Sequence, residues 1–176
     1  MVTHPEIDKV LRILTEFQGA NTMLGRMQEK YDSFRILIST ILSARAKDEV
    51  TEVIAGELFK RYPNAKSLAS AKKNDVIKII KRIGFYNNKA KNVLGAAKKI
   101  KEEFGGKIPR TMKEILTIPG VARKTANVVL GNAYGIVEGI AVDTHVKRFA
   151  QKFDLTTHTD PVKIEKDLPN LDFLIQ

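Results

Sequence analysis

Residues 115–149, ILTIPGVARKTANVVLGNAYGIVEGIAVDTHVKRF, decide how the chain folds and where its chemistry can sit. Ile118-Pro119-Gly120-Val121-Ala122 lies between two runs of helical periodicity and reads as a tight turn joining two short helices. Gly120 permits a left-handed backbone and close approach of another group. The N–H groups after the turn open a helix, whose N-terminus favours a phosphate oxygen. Such contacts set register on a polyanion and carry no sequence information. By itself, a plain corner between two helices explains the turn as well.

Lys124 follows at once, in the first turn of the second helix. The helix dipole and any partial burial both disfavour an ammonium there, and the uncharged amine is the nucleophilic form. A solvated surface lysine is the plainer account. Asp143 comes 19 residues later and begins Asp-Thr-His-Val ahead of a further helix. It suits a helix N-cap, and a cap holds a carboxylate in place. So held, it can stabilise positive charge on a reacting sugar or take a proton from Lys124. His145 reads as structural.

The 176 residues carry a net charge of +10. Residues 138–176 hold 5 Lys/Arg and 7 Asp/Glu, net −2, which leaves +12 on residues 1–137. A concentrated positive field fits a polyanion, nucleic acid being the commonest, although a lysine-rich thermophile surface also raises charge. The sequence has no cysteine, which excludes disulfides, thiolate metal sites and cysteine-ligated iron–sulfur clusters. His4, His145 and His158 lack metal-ligand spacing, so no metal is expected. No stretch is long and apolar enough for a membrane span, and the charged N-terminus does not read as a signal peptide. The expected location is the cytoplasm.

Helical periodicity runs almost throughout, and the expected class is all-α. Thr3-x-x-Glu6 has the form of a capping box before Ile7, Val10, Leu11 and Leu14. Asp32 or Ser33 caps a helix with Phe34, Leu37, Ile38, Ile41 and Leu42 inward. Asp48 starts another, with Val50, Val53, Ile54 and Leu58 inward, stopping before Pro63. A short helix falls near 65–71, and Asn74 or Asp75 caps one that Gly84 ends. Residues 88–103 form a helix ended by Gly105-Gly106, and Thr111-x-x-Glu114 is a second capping box. From Arg123 to Tyr134, Ala126, Val129, Leu130 and Ala133 share one face, with Lys124, Asn127 and Gly131 on another. Val137–Val142 is the best strand-like run, but it is short and contains Gly139. Leu168, Leu171, Phe173, Leu174 and Ile175 suggest a final helix cut short.

Together, Ile118–Leu130 and Val142–Val146 resemble helix-hairpin-helix (HhH-GPD) DNA glycosylases of the endonuclease III type. Ile41-Leu-Ser-Ala-Arg-Ala-Lys-Asp48 and Ile83-Gly-Phe-Tyr-Asn-Asn-Lys-Ala90 resemble that family's two early DNA-contact segments. The resemblance spans roughly residues 5–176 and implies a two-lobed fold. One lobe, residues 26–137, has six helices and the hairpin at about 113–134; the other joins 1–25 to 138–176. It implies base-excision repair: removal of oxidised pyrimidines from duplex DNA, then cleavage of the abasic site. Lys124 matches the family's Schiff-base nucleophile and Asp143 its catalytic aspartate. Pro119, Gly120, Val121, Ala122, Arg123 and Thr125 match the DNA-binding hairpin. Arg45 falls where many relatives have a glutamine that fills the gap left by the flipped base, with a phosphate or orphan-base contact as the alternative. Phe85 falls where an apolar residue wedges the opposite strand. The implied partner is double-stranded DNA with damaged bases or abasic sites, bound by a monomer.

Two departures stand out. Ala122 replaces a glycine common in the hairpin and fits if its φ is negative. Most relatives continue into a four-cysteine segment holding a [4Fe–4S] cluster. This sequence stops before such a region, so no cofactor is expected and the second lobe is expected to be incomplete. Two alternatives stay open: another base specificity, such as oxidised purine or mismatched thymine, and a truncated DNA-binding domain without turnover.

Overall fold

The computed structural model describes residues 31–136 and 138–168. The chain divides into two compact units at the 137/138 boundary. The capping box at Thr3, the helix expected from Ile7 and the apolar run 171–175 lie outside the described residues. All regular elements among the described residues are helices, so the all-α expectation holds, and 138–142 forms no strand.

In the first unit, α1 (Ser33–Ser43) starts where Asp32 Oδ1 accepts from Arg35 N at 2.9 Å. It buries Ile36 and Ser39 as well as Phe34, Leu37, Ile38, Ile41 and Leu42. A helix buried on so many sides is a central one, and α2 (Asp48–Arg61), α5 (Tyr86–Glu103) and α7 (Arg123–Tyr134) pack against it. Val53 of α2, expected inward, is 52% exposed. The inward positions are Thr51, Ile54, Ala55, Leu58 and Phe59. Thr51 tolerates burial because its hydroxyl donates to the Lys47 carbonyl at 3.0 Å.

The short α3 (Ala65–Ala69) opens on a reciprocal cap between Asn64 and Ser67. α4 (Lys73–Ile80) starts two to three residues before the expected position, with Lys72 at the cap and no side-chain bond there. Asp75 instead sits inside its first turn, where a carboxylate complements the dipole, 3.4 Å from Lys78. This helix ends at Ile80 rather than near Gly84, and Ile83 N→Ile80 O at 3.0 Å closes a turn beyond it.

α5 packs on α1, α3 and α4, and its Ala90, Gly95, Ala96 and Ala97 let neighbours approach closely. α6 (Met112–Ile115) leads into α7, which ends on left-handed Gly135. There Gly135 N→Gly131 O and Ile136 N→Leu130 O, at 2.9 and 3.1 Å, satisfy the last carbonyls.

In the second unit, α8 (Thr144–Lys152) and α9 (Pro161–Asp167) enclose Val142, Ala150, Ile164 and Leu168. Asp160 caps α9 through the amides of Val162 and Lys163, both at 3.1 Å.

Candidate nucleic-acid interface and reactive lysine

The hairpin is built by successively tighter turns. Thr111 opens α6: its hydroxyl accepts from Glu114 N at 3.3 Å and donates to Glu114 Oε2 at 2.6 Å. Thr117 N→Glu114 O and Ile118 N→Ile115 O, at 3.0 and 3.1 Å, then wind the chain out of the helix. Val121 N→Ile118 O at 3.1 Å closes a β-turn with Pro119 and Gly120 at its centre. Gly120 has φ +82°; proline followed by a positive-φ glycine is the type II pattern.

Two residues of α5 seat this turn, and sequence reading passed over both. A Cβ on Gly120 would lie 2.8 Å from Asn92 Cβ, so the glycine is required by space as well as by φ. A Cβ on Gly95 would lie 3.2 Å from Pro119 Cβ and Cγ, so that glycine makes room for the proline. Glycine inside a helix is the signal that pointed to such close approach. Ala122 has φ −95° and ψ 169°, so alanine fits as expected.

α7 then begins without a side-chain cap. Pro119, Gly120, Ala122 and Lys124 are exposed, while Val121, Arg123 and Thr125 are half-buried. Lys124 therefore lies in the first turn of α7, as expected, and is exposed. Asn127, expected on the face away from the core, is only 8% exposed, because the packing of α7 on α1 extends round the helix.

Arg45 and Phe85 occupy two strained turns. Ala46 N→Ser43 O at 2.9 Å closes a turn in which Ala44 has φ −51° and ψ 117°, and Arg45 has φ +54°. That is the position of a type II turn where glycine is usual. Phe85 caps α5 with φ +58° and ψ 29° and is 60% exposed. The Arg45 guanidinium lies 5.7 Å from the Phe85 ring centroid. Such a stack at an exposed site contributes about 0.5–1 kcal/mol. A left-handed non-glycine residue costs about 1–2 kcal/mol. The stack alone does not offset two of them, so the flanking helices hold this pair in place.

Lys89, in the first turns of α5, is 5% exposed, and its Nζ has no hydrogen-bond partner among the described residues. Burial lowers its pKa below the ordinary lysine range. The first unit thus gathers the hairpin, Lys124 and the Arg45–Phe85 pair.

In the second unit Asp143 is the N-cap of α8, as its sequence position suggests. Its Oδ1 accepts from His145 N at 2.8 Å and Val146 N at 3.0 Å. The carboxylate is held at the helix start and half-buried. Among the described residues, no group of three His, Asp or Glu could hold a metal ion, and no helix is long and apolar enough to cross a membrane.

Comparison with known proteins places this geometry. Residues 38–171 match the family described as HhH-GPD superfamily base excision DNA repair protein. Endonuclease III of Synechocystis sp. is 52% identical over 137 residues, which are 78% of this chain and 63% of that protein. Endonuclease III of Thermotoga maritima is 38% identical over 146 residues, 83% of this chain and 68% of the relative. The chain therefore spans somewhat under two thirds of the first of these and slightly more of the second. The structure of a trapped endonuclease III–DNA covalent intermediate with an estranged adenine superposes with a TM-score of 0.82 at 31% identity. That superposition covers 96% of this chain and 78% of the other.

Proposed function

The chain belongs to the HhH-GPD superfamily of base excision DNA repair proteins, and on that premise we propose that it is a bifunctional DNA glycosylase and abasic-site lyase acting on oxidised pyrimidines. The observation that carries this reading is the hairpin itself. A type II turn seated on α5 opens an uncapped helix, and Lys124 stands exposed in that helix's first turn.

The hairpin from Pro119 to Thr125 grips a phosphate of the duplex and fixes register. The damaged nucleotide leaves the stack. Phe85 wedges the opposite strand and Arg45 fills the gap. Lys124 Nζ, as free amine, attacks the sugar C1′; the C1′–N bond breaks and the base departs with its electron pair and a proton. Asp143, in the role the resemblance gives it, stabilises the positive charge that develops on the sugar. The sugar ring opens to a Schiff base. Loss of a C2′ proton then expels the 3′ phosphate, and the strand is nicked 3′ to the lesion. The iron–sulfur cluster implied by the family resemblance needs four cysteine ligands; this sequence has none, so no step runs through it.

Borohydride trapping tests the reading, on one duplex with thymine glycol and another with an abasic site. The expected result is a covalent adduct on both, lost in Lys124→Ala. An adduct on the abasic duplex alone would leave a lyase aimed at another lesion. No adduct on either, with salt-sensitive DNA binding intact, would refute turnover and leave a binding domain.

A further inference from the structure

We propose that Glu165 is a positioning residue for Asp143: from α9 it fixes the stretch of chain that delivers the aspartate to the start of α8. The proposal rests on the reading above in one respect, the part that Asp143 plays in base removal.

Glu165 is the only buried carboxylate among the described residues, at 7% exposed. Taking a carboxylate out of water is costly unless hydrogen-bond donors surround it, so the group sits where the fold has use for it. It lies against Gly139. A Cβ there would fall on the carboxyl group, 2.8 Å from Glu165 Cδ. Gly139 has no positive φ, so the glycine is needed for space rather than for backbone freedom. A glutamate tip is flexible in solution, but this one is enclosed and has no open path aside.

Gly139 stands four residues before Asp143, and the chain between them is irregular. Val142 N→Ile140 O at 2.9 Å closes a tight turn within it. Val142 is buried in one apolar cluster with Ile164 and Leu168, at the end of α9. The stretch therefore has an apolar anchor at Val142 and a polar one at Gly139. An apolar side chain in place of Glu165 would fill space without fixing orientation. A carboxylate accepts directional bonds from backbone N–H groups, which irregular backbone leaves in need of acceptors.

From the other side, Asp143 is held by the amides of His145 and Val146. Those bonds tie its carboxylate to α8, while residues 139–142 set the direction in which the chain arrives. With the Glu165 contact gone, the turn can pivot about Val142 and carry Asp143 with it. A misplacement of about 1 Å can cost about a hundredfold in rate.

Single-turnover base removal from the thymine glycol duplex tests this, in a double-variant cycle with Asp143→Asn. Glu165→Ala is expected to slow base removal about tenfold to a hundredfold, with DNA affinity within about twofold of wild type. On the Asp143→Asn background the same substitution should change the rate by less than about twofold, because residues that act as a unit are not additive. Glu165→Gln keeps the shape and one acceptor oxygen and should return the rate to within about threefold of wild type. Gly139→Ala forces the carboxyl and the chain apart and should reproduce the loss, with the same dependence on Asp143; it takes the place of Glu165→Ala in the cycle if that variant does not fold. A wild-type rate in folded Glu165→Ala would overturn the proposal. So would losses that multiply in the double variant, since Glu165 would then support the fold and not Asp143. No base removal by the wild type would instead overturn the glycosylase reading and this proposal with it.

Discussion

Replacing Gly120 by alanine separates two demands that the hairpin makes on one residue. Gly120 has φ +82°, and a Cβ there would lie 2.8 Å from Asn92 Cβ. Gly105 also has a positive φ, +59°, but a Cβ there meets nothing within 4 Å. Gly105→Ala therefore carries only the left-handed strain, about 1–2 kcal/mol. Gly120→Ala adds an overpacking term of about 1–3 kcal/mol, because the obstructing atom is a Cβ anchored to α5 rather than the tip of a flexible side chain. The expected losses are about 1–2 kcal/mol for Gly105→Ala and about 2–5 kcal/mol for Gly120→Ala. Urea midpoints at unchanged m-value measure both. DNA affinity should fall in Gly120→Ala, whose turn must shift, and stay near wild type in Gly105→Ala. Equal losses of stability at the two glycines would refute the reasoning, since Asn92 would then impose no constraint.

Lys124→Ala should abolish strand cleavage while most DNA binding survives; cleavage by that variant would remove Lys124 as nucleophile. Asp143→Asn keeps a cap of comparable quality, so base removal should slow with little change in stability, while Asp143→Ala should also lose about 1 kcal/mol in urea unfolding. A fully active Asp143→Asn protein would leave the residue a cap alone. For Lys89, burial sets the folded pKa below the unfolded one. Between the two values the unfolded chain binds more protons, so wild-type stability rises with pH there. Lys89→Met should be more stable at neutral pH by about 1–3 kcal/mol, because a buried unpartnered ammonium is gone. That advantage should shrink as pH rises towards the ordinary lysine pKa, about 10.4. A gap independent of pH would show that the Lys89 amine does not titrate abnormally.

Local rules made much of this protein legible before any coordinates. Asp32, Thr111 and Asp143 act as helix caps where the sequence places them, because a cap depends on groups within three residues. The span of α7, from Arg123 to Tyr134, follows from Pro119-Gly120 before it and Gly135 after it. Phe85 at an exposed loop tip and the tolerance of Ala122 follow from the same short-range reasoning.

Other features depend on what lies across the fold. Val53 is exposed and Asn127 buried because helix neighbours, rather than periodicity, decide which part of an apolar stripe is covered. Lys89 loses solvent to residues that its own helix does not specify. The hairpin turn is aimed by Asn92 and Gly95, more than twenty residues upstream, and Arg45 meets Phe85 across forty residues of chain. By itself the sequence determined the helices, the caps at Asp32, Thr111 and Asp143 and the hairpin, since hydrogen bonds and backbone sterics there act within a few residues. Only the tertiary structure decided which side chains are buried, what the hairpin rests on and how the strained pair is joined, since close packing couples residues that the chain keeps far apart.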